Sequence, residues 1–568
     1  MVKYSQLSRP PLLNQQTSWG LVFLVAIAFS LYQAGLFSQD VVNSGGLSLL
    51  WRFFLSSIRP EVSPEFLRLT LDATLTTFAY AICGTFLSVL LGLLGGLLSS
   101  EVWWLTLCPR WQGRQVAWLG MRGLLAVPRA IHEMIWGLFF VNIFGLDPLT
   151  AILAIAIPFG AIVAKVFSEI LDETPRQPLI SLLGSGVAPL TAFSYSLIPQ
   201  AFLNLLSYTF YRFECSIRSA AVLGIIGAGG LGYQILLSLQ SLRYEQLWTF
   251  FYALFLLNGA VDLASAWLRR RLGCASRLDL NASKLSKQRV KKAPSSPPKS
   301  DPLVTIAIVA MLGLVPLAFW YVNADFGKLW SPRTFKLLGN IVTSSFPPAL
   351  NGRQLQLLGS LSLETLAMSI LAIAVAAWGG ILLSFPASHN FFLPGGLLNA
   401  NPRSRGLRAW LTLLLARSVL LLARAIPAPI WALVLLFVLF PGILPGAIAL
   451  GLHNLGILGR LMAEVTENLD QRPLSALKAQ GTPSPLLFLY GVLPLTSPRF
   501  LAYILYRWEV CLRETVIVGL VGAGGLGRLL MEQVSSFDYS GVVATLGCFI
   551  VLTFLVDWIS ATVRRTLR

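Results

Sequence analysis

Two stretches of this chain carry one pattern. YRFECSIRSAAVLGIIGAGGLG begins at Tyr211 and YRWEVCLRETVIVGLVGAGGLG at Tyr506, 295 residues later, and eleven of the 22 positions are identical. The same offset pairs RAIHEMIW from Arg129 with RAIPAPIW from Arg424, Glu169 with Glu464, Gly186 with Gly481, and Pro199 with Pro494. A chain written twice must build two copies of one unit. The halves run over 1–268 and 302–568, joined by a linker at 269–301 that holds ten Lys or Arg against two Asp.

The solvent of the unit follows from its runs. WGLVFLVAIAFSLYQAGLF (Trp19 to Phe37) and PLVTIAIVAMLGLVPLAFWYV (Pro302 to Val322) are long enough to cross a hydrocarbon core of ~30 Å as helices. Charged residues make up 12% of the chain, about half the share usual in soluble domains. Each half reads as six helices, near 19–37, 67–99, 118–145, 149–171, 188–212 and 246–268 in the first. The expectation is an all-α polytopic membrane protein with about twelve transmembrane helices in two parallel six-helix repeats. The basic linker has the composition of a cytoplasmic loop. With an even number of spans per half, both termini are then cytoplasmic too.

The net charge of +18 does not mark a nucleic-acid binder, because its basic residues lie in short stretches between apolar segments with no aromatic interleaving. The six cysteines form no C-x-x-C, and His132, His389 and His453 are scattered, so neither a disulfide framework nor a metal site is expected. His132 and His453 read as packed polar residues.

Gly227, Gly229 and Gly232 satisfy G-x-G-x-x-G, and Gly522, Gly524 and Gly527 repeat it. A dinucleotide fingerprint needs a βαβ unit and an acidic residue about 20 positions on, and neither is present. Two readings stand: a re-entrant segment at the outer side, also using Gly230 and Gly525, or a glycine seam between helices. Glu214 with Arg218, and Glu509 with Arg513, lie at i,i+4 and predict an ion pair on one helix face, as an outer-gate docking feature or as a fold-stabilising pair. Arg129 and Arg424 each follow another arginine (Arg122, Arg417) by seven residues. They are therefore about 10 Å deeper along a helix. Arg129 has Glu133 one turn on, and Arg424 has Ala428. An arginine without a carboxylate and facing a cavity would suit an anion with several oxygens. The alternative is that Arg424 binds carbonyls freed near Pro427 and Pro429. Both arginines are translocation-path candidates.

Between the fourth and fifth helices of each half lies a polar stretch, LDETPRQPLISLLGSGVAPLTAFSYSLIPQ from Leu171 and LDQRPLSALKAQGTPSPLLFLYGVLPL from Leu469. It resembles the EAA loop of ABC-importer permeases, and the glycine-bearing signatures with RAIPAPIWAL and LETLAMSILAIAVAAWGGILL resemble the phosphonate-type permeases. The resemblance covers most of 67–268 and 358–568. It implies a type I importer permease, two units fused in one chain, for phosphonate, phosphite or a related phosphorus oxyanion. It also implies coupling loops carried by Ser181, Leu182, Gly186 and Pro199, and by Ala476, Leu477, Gly481 and Pro494. Two copies of a cytoplasmic ATPase would dock there and use ATP and Mg. A periplasmic or lipid-anchored binding protein would deliver solute, and the site would be the bacterial cytoplasmic membrane. The chain departs from the pattern at Ile180 and Ser475, where the loop motif has Glu, and at His132 and Ala428. No Walker motif is present, so ATP hydrolysis is expected from another polypeptide, and the resemblance implies a transporter permease, not an enzyme. Other readings are a permease for methionine or a quaternary ammonium solute, and a secondary transporter of two six-helix halves, against which the scarcity of acids within the spans counts.

Overall fold

The computed structural model describes residues 15–37, 42–272, 302–348, 350–393, 396, 406–470 and 472–566. Most of the basic linker, 273–301, lies outside them. The first half supplies α1 (Gln15–Gln33), an amphipathic α2 (Leu47–Leu55), α3 (Pro64–Ser99), a short α4 (Glu101–Leu107), α5 (Arg114–Ala130), α6 (Glu133–Phe144), α7 (Pro148–Glu173), α8 (Gln177–Gly184), α9 (Pro189–Leu223), α10 (Gly230–Gln240) and α11 (Tyr244–Leu272). The second supplies α12 (Pro302–Val322), α13 (Pro332–Ser345), α14 (Gly352–Ser384), α15 (His389–Phe392), α16 (Gly406–Ala425), α17 (Ala428–Leu435), α18 (Ile443–Glu467), α19 (Arg472–Ala479), α20 (Leu493–Val518), α21 (Gly525–Ser535) and α22 (Tyr539–Thr566). Extended pairing among the described residues is an isolated bridge between Val42 and Leu439.

Among the described residues, eight helices are long and apolar enough to cross a membrane, or ten if two bent pairs each count as one span. The shorter apolar helices Thr17–Gln33 and Val309–Val322 stand where the first span of each half was expected. One expected element divides. The run 118–145 is two helices, α5 and α6, bent by 83°, because Ile131 is extended (φ −91°, ψ 128°) and His132 caps the new helix by accepting from Met134 N at 3.3 Å.

The packing core of the Phe53–Val342 unit is α3 against α7, and that of the other unit is α14 against α18. Small residues let these axes close in. A Cβ on Gly92 would stand 2.3 Å from Val163, and one on Gly379 would stand 2.1 Å from Leu455.

The compact units do not follow the sequence halves 1–268 and 302–568. One comprises the described residues up to Arg52 with Thr343–Arg568, the other Phe53–Val342. The first helix of each half packs on the core of the other half's unit. Thus α1 lies on α14 and sets Phe23 edge-on to Trp508 of α20 at 5.9 Å, and α12 lies on α3, with Phe86 edge-on to Phe319 at 6.1 Å. Each exchanged helix is then fastened where its connecting loop meets the loop before α7 or α18. Asn43 N donates to Val438 O at 2.7 Å in one unit. In the other, Lys328 pairs with Asp147, whose carboxylate also caps α7 through Leu149 N at 2.9 Å.

Candidate functional site

Three features recur in both units, and each arises from a local property of the sequence.

The first is the polar loop. The helices α8 and α19 each end in a glycine with positive φ, Gly186 at +81° and Gly481 at +77°. A residue with a Cβ is strained in that region, so glycine is the natural helix terminator. Gly186 N donates to Leu183 O and Val187 N to Leu182 O. In the second loop Gly481 N reaches Lys478 O and Thr482 N reaches Leu477 O. Leu179 and Leu474 fasten the helices inward, at 3% and 1% exposure, while Ile180, Ser181, Ser475 and Ala476 stay exposed and Leu182 and Leu477 are half-buried. Pro199 lies exposed within α9, whereas Pro494 opens α20 after a wide turn at Phe488–Val492.

The second is the glycine bend. Gly227, Gly229 and Gly230 have φ of +94°, +89° and +70°, and Gly522, Gly524 and Gly525 have +106°, +84° and +69°. The chain turns by 58° between α9 and α10. The eleven-residue α10 is about 16 Å long and cannot cross a ~30 Å core by itself. Gly232 and Gly527 meet a different constraint, close contact, since a Cβ there would stand 1.7 Å from Ala221 O or 2.5 Å from Val516 O. The open N-terminus after each bend is closed from the core helix. Leu231 N donates to Thr77 Oγ1 at 2.8 Å and Leu526 N to Thr365 Oγ1 at 2.9 Å. Neither threonine was singled out from sequence. The signal available was a small hydroxyl at a matching place in the first long helix of each repeat.

The third is a set of buried charges. The spacing of Glu214 with Arg218 and of Glu509 with Arg513 predicted pairs along one helix. A further cation comes from the last helix of each sequence half: Arg269 bonds Glu214 at 3.2 Å and Arg564 bonds Glu509 at 2.6 Å. Arg218 lies 3.6 Å from Cys215 Sγ, and Arg513 Nε reaches Glu509 O at 3.4 Å. Arg269 and Arg564 obey the same 295-residue offset, which sequence reading could have used. Glu214 is about 20 Å along the helix from the bend at Gly227.

The broken helices correct the reading of Arg129 and Arg424. Arg129 is in the last turn of α5, and the break at Ile131 puts Glu133 in another helix, where i,i+4 spacing no longer applies. Glu133 accepts from Ser219 Oγ at 2.7 Å. Both arginines are half-buried and both have interaction partners, so neither is the unpartnered cation considered for Arg424. The carbonyl freed at the second break, Ile426 O, is met by His453 Nδ1 at 3.0 Å. His453 is thus a packed polar residue, as expected.

Offset positions around these breaks trade roles. Where one unit has Glu133 and Ser219, the other has Ala428 and Glu514. Arg212 lies over the Phe159 ring at 4.1 Å, while its counterpart Arg507 bonds Glu514 at 2.8 Å and also donates to Asn454, which stands at the place of Phe159. Each unit keeps one carboxylate at this helix junction but carries it on a different helix. No group of His, Cys, Asp and Glu that could hold a metal occurs among the described residues.

The description "Binding-protein-dependent transport system inner membrane component" fits residues 110–273 and 393–568, once in each half. The chain is 26% identical over 448 residues to the phosphate-import permease protein PhnE of Mycolicibacterium smegmatis, covering 78% of this chain and 77% of that one. It is 31% identical over 261 residues to the phosphite transport system permease protein PtxC of Stutzerimonas stutzeri, covering 45% of this chain and 87% of that one. It is 36% identical over 118 residues to the putative cryptic phosphonate transport system permease protein PhnE2 of Escherichia coli, or 21% of this chain and 97% of the relative. No solved structure matches.

Proposed function

The chain belongs to the binding-protein-dependent transport inner membrane component family, and from that premise we propose that it is the permease of an ATP-driven importer for phosphonate, phosphite, phosphate or a related phosphorus oxyanion. The observation that carries this reading is the whole unit occurring twice, each copy with its loop helix, glycine bend and broken helix, beside relatives named for phosphorus oxyanions. One chain then supplies both membrane-spanning halves of a transporter in the cytoplasmic membrane, with both termini cytoplasmic. Two ATPase subunits dock on the exposed faces around Ser181 and Gly186 and around Ala476 and Gly481, and they bind the ATP and Mg. A binding protein delivers the solute at the opposite face.

Arg129 and Arg424 end the helices that break, α5 and α16. We place the oxyanion's path beside them, because a guanidinium offers several donors in a plane and holds its charge at any physiological pH. Since both already have partners, the passing anion exchanges with an existing contact instead of filling an empty site.

Purification from native membranes tests this reading. Two ATPase copies should accompany each chain, and hydrolysis should rise with a binding protein loaded with a phosphorus oxyanion. A lone chain that moves solute on a proton or sodium gradient would refute it.

A further inference from the structure

We propose that Asp172 and Glu467 are positioning residues that carry displacement of the loop helices α8 and α19 to the broken helices α5–α6 and α16–α17; this rests on the permease reading above.

In the Phe53–Val342 unit, Asp172 sits in the last turn of α7, just ahead of α8. Its Oδ1 accepts from Ser100 Oγ at 2.7 Å and from Val102 N at 3.1 Å, so it closes the N-terminus of α4. Its Oδ2 lies 3.4 Å from Arg122 Nη2 on α5. Arg122 Nε donates to Ser99 O, the end of α3, at 3.1 Å, and its guanidinium stacks 4.4 Å over Trp118. In the other unit a corresponding set of groups meets, here on one oxygen, Glu467 Oε1. Glu467, at the end of α18, accepts from His389 N at the start of α15 at 3.0 Å and from Arg417 Nη2 on α16 at 2.7 Å. Arg417 Nε donates to Ala387 O, just beyond α14, at 2.9 Å. One carboxylate thus joins four elements twice over, once as Asp and once as Glu.

The loop helix moves with that carboxylate. Leu179 of α8 is buried in one apolar cluster with Leu171 of α7, Val102 of α4 and Phe193 of α9. In the second unit Phe391 of α15 packs edge-on against Phe488 at 5.7 Å and beside Phe385 at 5.2 Å. In the first unit the loop helix, the short α4 and the end of α7 form a packed block; in the second, Leu474 of α19 lies against Gly491, where a Cβ would stand 2.6 Å from it, in the turn that carries Phe488. The arginine ties that block to the helix ending at Arg129 or Arg424. Arg122 is 41% exposed and Asp172 18%, Arg417 29% and Glu467 21%, and ion pairs open to water on the cation side contribute little to stability. Removing the carboxylate should therefore disturb transmission more than folding.

The test uses the full transporter with its ATPase and binding protein in vesicles. Asp172→Asn combined with Glu467→Gln should lower solute taken up per ATP hydrolysed about tenfold, within the usual range of coupling between sites. Melting temperature and ATPase co-purification should be unchanged. The exchanges Asp172→Glu and Glu467→Asp should retain coupling, since each unit already uses the other's residue. Unchanged uptake per ATP, or uptake and hydrolysis falling together with the melting temperature, would overturn the assignment. A second readout is independent of ATPase activity: spin labels at the exposed positions Ile180 and Leu119 should show a broader distance distribution in Asp172→Asn, and an unchanged one also overturns it. A wild-type assembly without stimulated hydrolysis would instead sink the permease reading.

Discussion

Glycines act here in two different ways, and substitution separates them. At Gly232 the constraint is contact: a Cβ would stand 1.7 Å from Ala221 O. Gly232→Ala should cost about 1–3 kcal/mol as overpacking, read as a lower melting temperature of the purified protein. At Gly481 the space is open, with nothing within 4 Å, and the constraint is the φ of +77°. Gly481→Trp should therefore leave membrane insertion intact, while strain and bulk at the face proposed to dock the ATPase abolish coupled ATPase activity. Full activity in that variant would remove the loop from the coupling path. Thr77→Val tests the cap on the bend. It leaves the Leu231 N–H without its acceptor, at about 1–3 kcal/mol for a buried donor, and hydrogen exchange at Leu231 should rise.

At the scale of elements, the junction of α6 with α9, and of α17 with α20, holds one carboxylate in either of two places. Glu514→Ser removes the partner of Arg507 and should destabilise by about 3 kcal/mol, as when a buried pair loses one member. Adding Ala428→Glu copies the arrangement of the first unit, where Glu133 faces Ser219 at 2.7 Å, and should restore much of the loss on thermal melting. No recovery would mean that the two arrangements are unrelated. The fastening of α12 is electrostatic. The Asp147 carboxylate, by hydrogen bond and by charge, raises the Lys328 ammonium above its ordinary lysine value. A raised lysine contributes while pH is below the ordinary value, and that contribution is lost as pH climbs through the raised one. Transport should therefore not lose this contact near neutrality. Lys328→Gln should mimic strongly alkaline pH by loosening the loop at 325–330, seen as faster proteolysis there.

At the scale of the whole molecule, the exchange of first helices has a consequence that truncation can measure. Deleting residues up to Arg52 removes α1 from α14, so cleavage within Thr343–Arg568 should accelerate in limited proteolysis while Phe53–Val342 keeps its protection. Equal protection of both would count against the exchange. The spans, the doubled unit, the loop helices ended by Gly186 and Gly481, and the bends at Gly227 and Gly522 were all legible in the sequence. Each depends on local properties: apolar length sets a span, and a missing Cβ permits a positive φ. The break at Ile131 was hidden because His132 carries no proline-like signal, whereas Pro427 marks its counterpart. The additional partners of Glu214 and Glu509 were hidden because i,i+4 neighbours are visible along a helix, while Arg269 and Arg564 come near only when the last helix folds back. The same holds for the ties at Asp172 and Glu467 and for the exchange of α1 and α12. Which helix lies on which is decided by the sum of contacts over distant segments, and two similar repeats offer each first helix two similar cores. Sequence alone determined what each element is; tertiary packing decided which half each element serves.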